Sequence, residues 1–230
     1  MTLETLAERV EAQGYGIIPS VLAPGEILSL LETVASSSVI RSRAGVRHAL
    51  SQPRISRIAN DPRLLGIAGA ICGRDVIPFR ATVFDKSLGS NWLVVWHQDT
   101  ALPLRNRHEK PGWGPWSVKA GVTYAHAPAE VLEKVVALRL HLDDSNIENG
   151  PLRVIPGTHK TGVLSEVAIE ERVVRGVRIE CLAPSGSVVA MRPLILHSSS
   201  KSRGTLPRRV LHIEYASEEL ATAGIEFARA

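Results

Sequence analysis

The chain has 230 residues, of which 44% are hydrophobic and 22% charged, a composition typical of a folded globular protein and not of a disordered one. We expect one domain over 1–230, because this length is enough to bury a sizeable core. The formal net charge is only +4 and the basic residues are scattered, so we predict no nucleic-acid partner. A modestly basic mouth that attracts an anionic substrate or cosubstrate explains the charge equally well.

The sequence contains neither a run of 18 apolar residues nor the pattern of a signal peptide, so we predict no membrane association. Cys72 and Cys181 give no disulfide framework and no metal-type spacing. We therefore expect a reducing, cytoplasmic setting and a monomer or homodimer.

Three apolar stripes at helical spacing lie within 1–75, which we predict to be a helical preface. The third stripe has the clearest boundaries, with Asp61 as N-cap, Pro62 in the first turn and Gly73 just past the end. The apolar residues of the three stripes lie within Leu3–Val10, Ile27–Val34 and Leu64–Cys72.

From residue 76 onward the pattern changes to short β-type runs separated by turn dipeptides such as Asn149-Gly150 and Pro156-Gly157. The predicted strands are Val76–Phe84, Trp92–Gln98, Val135–Leu142, Leu152–Ile155, Val177–Leu182, Ser187–Met191, Ile195–Ser198 and Arg209–Tyr215. Regular helices do not separate these strands, which disfavours a doubly wound α/β fold. We predict a mainly β protein with helices (α+β): a double-stranded β-helix, or cupin-like jelly roll, over 76–220, with the N-terminal helices packed on one sheet.

The stretch 100–133 interrupts this succession of short strands and turns. It is rich in Pro, Gly and Trp, as in Pro111-Gly112-Trp113-Gly114-Pro115-Trp116. We predict a long loop without secondary structure. Such a loop in a compact domain is usually functional, so we expect a lid over a binding site, with Trp113–Trp116 as its closing part.

The motif Trp96-His97-Gln98-Asp99 ends a predicted strand. Side chains alternate along a strand, so His97 and Asp99 lie on one face. One distant histidine would complete the two-histidine, one-carboxylate set that holds Fe(II) and leaves open positions for substrate chemistry. His197, which follows the strand-like stretch Met191–Leu196 with Pro193 inside it, is the leading candidate.

Other histidines compete for the third position. His141 and His212 also lie in predicted strands and remain alternatives to His197. The rest lie in loop-like segments: His48, His108, His126 and His159.

Two adjacent arginines, Arg208 and Arg209, open the last predicted strand. Neighbouring residues of a strand point to opposite faces, so one of the two can face a site while the other faces solvent. A guanidinium fork suits bidentate binding of a carboxylate.

Taken together, these motifs resemble the phytanoyl-CoA dioxygenase family of Fe(II)/2-oxoglutarate-dependent oxygenases, most closely over 76–215. The matching pieces in chain order are Phe84-Asp85-Lys86, Trp96-His97-Gln98-Asp99, Asn149-Gly150-Pro151-Leu152, Ile155-Pro156-Gly157-Thr158-His159, His197 with Ser199, and Arg208. The resemblance implies an enzyme that hydroxylates a small molecule, with Fe(II), 2-oxoglutarate and O2 as cofactor and cosubstrates.

The resemblance also implies residue roles. His97, Asp99 and His197 correspond to the iron ligands. Arg208 corresponds to the arginine that pairs with the distal carboxylate of 2-oxoglutarate, and Ser199 to a hydroxyl donor to that carboxylate.

Three further residues fall at cosubstrate-lining positions of the family. Thr82 and Gln98 match such positions directly. Arg139 stands where relatives commonly carry an aromatic residue; an arginine there could strengthen carboxylate binding or contact an acidic substrate.

Two other classes of protein use similar ligands. A zinc hydrolase would need a general base, for which Glu109 is the close candidate. A cupin-like binding protein without turnover would give Arg208 and Ser199 no cosubstrate to hold. The halogenase variant of the oxygenase chemistry is disfavoured, because Asp99 occupies the position that halide would need.

Overall fold

A computed structural model describes residues 2–36, 41–42, 45–87, 89–107, 110–119 and 121–229. The helices of this part are α1 Leu3–Gln13, α2 Pro24–Ser36, α3 Pro53–Ala59, α4 Pro62–Cys72, α5 Ala129–Leu132, α6 Glu166–Arg175 and α7 Glu218–Thr222. The strands are β1 Tyr15–Ile18, β2 Arg41–Ser42, β3 Gly45–Val46, β4 Val76–Lys86, β5 Val94–His97, β6 Ala101–Leu104, β7 Trp116–Lys119, β8 Val122–His126, β9 Val135–His141, β10 Leu152–Ile155, β11 Ile179–Cys181, β12 Val188–Met191, β13 Leu196–Ser199 and β14 Arg208–Ser217.

The three predicted helices are present as α1, α2 and α4. The hydroxyl of Thr2 caps α1 by accepting from the Thr5 N–H at 3.2 Å, and Asp61 caps α4 by accepting from the Arg63 N–H at 2.9 Å. Gly14 and Gly73 end the two helices in the left-handed conformation, with φ of 83° and 70°. Local capping chemistry therefore sets these boundaries.

Two antiparallel sheets form the predicted jelly roll, and all eight predicted strands are present. The major sheet has the order β1-β12-β9-β14-β4-β3-β2, and the minor sheet has the order β11-β10-β13-β5. The longest pairing joins β14 to β4, with Arg208 opposite Lys86 at one end and Ser217 opposite Val76 at the other. These sheets carry the residues of the candidate site.

The predicted packing of helices on one sheet is confirmed. Leu211, Ile213 and Tyr215 of β14 are buried in the core formed with α1 to α4, and the hydroxyl of Tyr215 donates to the Ala59 carbonyl of α3 at 2.9 Å. The alternate residues of β14, which include Arg208 and His212, therefore face the minor sheet.

The prediction of a structureless 100–133 segment is wrong. Strands β6, β8 and β7 form a third antiparallel sheet, which packs with Phe79 and Phe227 in a core of its own. Trp113 and Trp116 pack against this core, with ring centroids 6.5 Å apart. His108 and Glu109, named above as a competing ligand and a general base, lie outside the described residues.

No helix among the described residues combines the length and the apolar character needed to cross a bilayer.

Candidate metal centre

The minor sheet brings His97, Asp99 and His197 together. His97 and His197 face each other in register on β5 and β13, and their ring centroids are 4.2 Å apart. Asp99 follows β5 and its N–H donates to the Pro193 carbonyl at 2.9 Å. One ligand atom from each of the three residues lies within 4.8 Å of the others. Within the described part of the chain, neither His141 nor His212 belongs to such a group.

Backbone carbonyls fix the orientation of both imidazoles. The Nδ1 of His97 lies 2.8 Å from the Val95 carbonyl, and the Nδ1 of His197 lies 2.9 Å from the Ile195 carbonyl. A carbonyl can only accept, so each Nδ1 carries a proton and each Nε2 is the nitrogen left to bind a metal. The two Nε2 atoms lie 3.6 Å and 3.4 Å from the Asp99 oxygens. This is the donor set that a divalent transition metal requires.

The protonation states suit a metal as well. Burial opposes ionisation of Asp99, but His197 and His97 hold the pKa of this carboxyl well below its usual range. Burial lowers the pKa of His197 to about 4, even though Asp99 opposes this shift. His97 has a raised pKa, because its contact with Asp99 outweighs the effect of burial. The site therefore offers a carboxylate and, on His197, a neutral imidazole.

A cavity of about 140 Å³ lies beside the triad and is lined by basic side chains. Its lining residues include Lys86, Trp92, Arg139, Leu152, Ser199 and Arg208. Arg208 donates from Nε to the Asn149 carbonyl at 3.2 Å and from Nη2 to the Ser199 hydroxyl at 3.2 Å. Its Nη1 is buried with no hydrogen-bond partner among the described residues. An unpaired buried guanidinium nitrogen is costly, and a carboxylate in this cavity would satisfy it.

The carbonyls of the Asn149-Gly150 turn position Arg208 and Ser199. The Gly150 carbonyl accepts the Ser199 hydroxyl at 2.8 Å. Gly150 has φ of 69°, and a Cβ there would lie 2.4 Å from the Ser200 carbonyl oxygen. The close approach of the turn to the end of β13 therefore requires glycine.

Lys86 belongs to the same cavity, although the sequence analysis assigned it no role. Its Nζ donates to the Ser199 hydroxyl at 2.8 Å and to the Ser200 carbonyl at 2.5 Å. Burial, together with the neighbouring Arg208 and Arg139, lowers the pKa of Lys86 to about 7. Its place in the cavity follows from the β4–β14 pairing, which puts Lys86 opposite Arg208.

Arg139 lines the same cavity as Lys86 and Arg208. Its Nη1 donates to the Nδ1 of His212 at 3.1 Å, and its guanidinium stacks over Phe84 at 5.4 Å. His212 must therefore accept at Nδ1, and burial followed by the Arg139 charge holds the pKa of His212 well below its usual range. Arg139 thus orients a neutral His212 beside the metal ligands.

Two residues expected to bind the cosubstrate, Thr82 and Gln98, do not line the cavity that contains Arg208. Thr82 lines a second cavity on the other side of Asp99. Gln98 points away from the triad because it alternates with His97 and Asp99: its amide nitrogen donates to the Gly162 and Leu194 carbonyls at 2.9 Å and 2.7 Å. Gln98 therefore does not line the cavity that contains Arg208.

Arg209 faces away from the cavity. Its Nε and Nη2 donate to the two carboxylate oxygens of Asp143 at 2.7 Å and 2.8 Å. The ambiguity between the two adjacent arginines is thereby resolved, with Arg208 inward and Arg209 outward.

Comparison with known proteins gives relatives named as a hydroxylase and a dioxygenase. An L-proline trans-4-hydroxylase from Streptomyces griseoviridis is 29% identical over 187 residues, which cover 70% of this chain and 62% of the relative. An ectoine dioxygenase from Bordetella parapertussis is 24% identical over 209 residues, which cover 81% of this chain and 60% of the relative. The chain thus spans about three fifths of the length of these two relatives.

The fold also matches solved structures. The epimerase SnoN, in complex with Fe3+, alpha ketoglutarate and nogalamycin RO, superposes with a TM-score of 0.73 at 19% identity, covering 94% of this chain and 83% of that one. The family model described as phytanoyl-CoA dioxygenase (PhyH) matches residues 10–210. The match spans most of the chain and includes the triad together with Lys86, Arg139, Ser199 and Arg208 of the basic cavity. The protein therefore belongs to the phytanoyl-CoA dioxygenase family.

Proposed function

We propose that this protein is a non-heme Fe(II)- and 2-oxoglutarate-dependent dioxygenase, an oxidoreductase that hydroxylates a small-molecule substrate. The observation that carries the proposal is the buried, unpaired Arg208 Nη1 beside a triad of two imidazoles and one carboxylate. In the overall reaction, O2 places one oxygen atom in the product and the other in succinate, and CO2 leaves from 2-oxoglutarate. The relatives named as hydroxylase and dioxygenase support the same reaction class.

The site residues fall into two groups by position, one for the metal and one for the cosubstrate. His97, Asp99 and His197 would hold Fe(II), which supplies O2 activation when bound and leaves positions open for a chelating cosubstrate. Arg208, Ser199 and Lys86 would bind the far carboxylate of 2-oxoglutarate, and Arg139 would add positive charge nearby. The buried basic cavity suits a dianionic cosubstrate. Neither a zinc hydrolase nor a binding protein requires such a cosubstrate, so the cavity favours the oxygenase over both.

The proposal is tested by adding 2-oxoglutarate anaerobically to the Fe(II)-loaded protein. A visible charge-transfer band is expected, since the open triad lets a keto acid chelate the metal. Asp99→Ala should weaken metal binding and abolish the band and succinate formation. The exposed Asp75→Ala is the matched control and should keep both. A wild-type protein that binds Fe(II) without forming the band would contradict the proposal.

A further inference from the structure

A second cavity, of about 200 Å³, lies on the other side of the metal ligands. It shares Phe84, Asp99 and His212 with the cosubstrate cavity. Its outer wall comes from the turn after β3, which carries Arg47 and His48, and from the third sheet, which carries Lys119 and Tyr124. A molecule in this cavity would therefore lie against the metal centre without displacing the cosubstrate.

Two of its cations carry uncompensated charge. Arg80 also lines the cavity, but it forms a two-point ion pair with the buried Glu214. Arg47 and Lys119 form no ion pair with any other described residue. Asp99 is the acidic group among the described lining residues, and it is held between two histidines. The cavity therefore has an excess of positive charge at its outer end.

The backbone beneath Arg47 is strained and firmly held. His48 has φ of 54°, in the left-handed region that residues other than glycine seldom adopt. The Ser51 hydroxyl and N–H both donate to the His48 carbonyl, at 2.8 Å and 3.1 Å. Non-glycine residues kept in this conformation concentrate at ligand sites, where the surrounding structure maintains the strain.

Size and shape restrict what the cavity can accept. Its volume is below the roughly 300–1,000 Å³ of pockets that hold drug-sized ligands. The Phe84 and Tyr124 rings supply apolar wall, and the Lys119 ammonium lies 5.3 Å from the centre of the Tyr124 ring. These features fit a small molecule with a short apolar body and an anionic end.

We propose that the substrate is a small carboxylic acid whose carboxylate binds between Arg47 and Lys119, so that its C–H bond faces the triad. This inference rests on the proposed function, because it assigns the second cavity to the molecule that is oxidised. Arg47 and Lys119 lie on separate elements, so they would bind the carboxylate from two sides and determine which end of the substrate faces the metal.

The test is direct binding to the protein loaded with Zn(II) and 2-oxoglutarate, which cannot turn over. The probes are the standard L-amino acids and small monocarboxylic acids, each paired with its primary amide, measured by ligand-observed NMR and calorimetry. At least one acid should bind about tenfold or more tightly than its amide, as expected for charge-assisted contacts. The Arg47→Gln/Lys119→Met double variant should lose this preference.

The matched control is Arg57→Gln/Lys160→Met, which removes the same charges from residues that line neither cavity beside the triad. This control should bind the acids as the wild type does. Amides that bind as well as the acids, or a panel in which no acid binds, would overturn the substrate assignment. The charge-transfer band with 2-oxoglutarate is unaffected by that outcome, so failure of this inference is distinguishable from failure of the proposed function.

Discussion

Arg208 and Arg209 are adjacent on β14 and yet have opposite surroundings. Arg208 is 2% exposed, faces the metal centre and keeps one nitrogen unpaired, whereas Arg209 pairs with Asp143 at the surface. The two residues have the same chemistry and the same strand, so the difference in their surroundings arises from side-chain alternation alone. This makes them a natural matched pair for testing the role of the inward arginine.

Arg208→Ala should weaken 2-oxoglutarate binding by about 30-fold or more, because removing one partner of a buried charge pair costs 2–5 kcal/mol. Metal affinity should change little, since Arg208 contacts no metal ligand. Titration calorimetry with 2-oxoglutarate and with the metal separates the two effects. Arg209→Ala is the control and should bind both normally; equal losses of both ligands in the Arg208 variant would refute its role.

For single residues, the sequence predicts the positions that follow from short spacings along one strand. The His97-x-Asp99 pair and the inward position of one arginine of the pair both follow from the period of a strand. Lys86 was missed because its role depends on pairing with β14, more than a hundred residues away in the chain. Gln98 was assigned from a family position, whereas strand alternation places its side chain on the face opposite His97 and Asp99.

Among the elements, the short strand β3 determines where the Arg47–His48 turn lies. Gly45 pairs with Phe84 on β4 and has φ of 131°. A Cβ at Gly45 would lie 1.8 Å from the Val83 carbonyl oxygen, which belongs to the backbone and cannot rotate away. Contact between β3 and β4 therefore requires glycine at position 45.

Gly45→Ala should displace β3 and lower the free energy of unfolding by about 1–3 kcal/mol, the usual range for overpacking. Binding of acidic ligands in the second cavity should fall with it, while the charge-transfer band with 2-oxoglutarate persists. Urea unfolding and ligand-observed NMR measure the two effects. Gly89→Ala, where an added Cβ would meet nothing within 4 Å, should behave as wild type. Unchanged stability of the Gly45 variant would mean that β3 is not held against β4 as described.

The elements with strong local signals were predictable, and those that depend on distant partners were not. Helices α1 and α4 carry their own caps, and the long strands β4, β9 and β14 have sustained apolar patterns. The third sheet was missed because β6 contains Pro103 at a sheet edge and its partner β8 lies beyond a Gly- and Pro-rich stretch. Helix α6 was not predicted either, and none of its residues is fully buried.

In the molecule as a whole, the buried cations around the basic cavity destabilise the folded state, and a bound anion would offset this destabilisation. Lys86, Arg139 and Arg208 are all buried around one cavity, and within the described residues none of them forms an ion pair. Burial, with the neighbouring cations, lowers the pKa of Lys86 to about 7 and that of Arg208 to about 9. The chain therefore has an excess of positive charge both overall, with a formal net charge of +4, and locally around this cavity.

Binding of 2-oxoglutarate should therefore raise the melting temperature. A ligand at 100 times its Kd adds about 2.7 kcal/mol, which corresponds to roughly 5–10 °C for a chain of this length. Glutarate, which has both carboxylates but no keto group, should give a smaller rise that does not depend on the metal. A melting temperature unaffected by either acid would contradict the assignment of this cavity.

The pH dependence of the anion-free protein follows from the same cluster. The folded-state pKa of Lys86 lies below its ordinary value of 10.5, so the unfolded chain binds more protons between pH 7 and 10.5. The contribution of Lys86 to stability therefore rises with pH across this window, by at most about 1.4 kcal/mol per pH unit. Lys86→Met should be more stable than the wild type near pH 7 and should lose this part of the pH dependence, as measured by thermal melts across the window.

Phe84, Asp99 and His212 form a common wall between the two cavities. Any ligand that shifts this wall from one side alters the shape presented to the other, and linkage requires the effect to be mutual. Arg139 lines the cavity of Arg208 and donates to His212, so an anion that moved Arg139 would also move this shared wall.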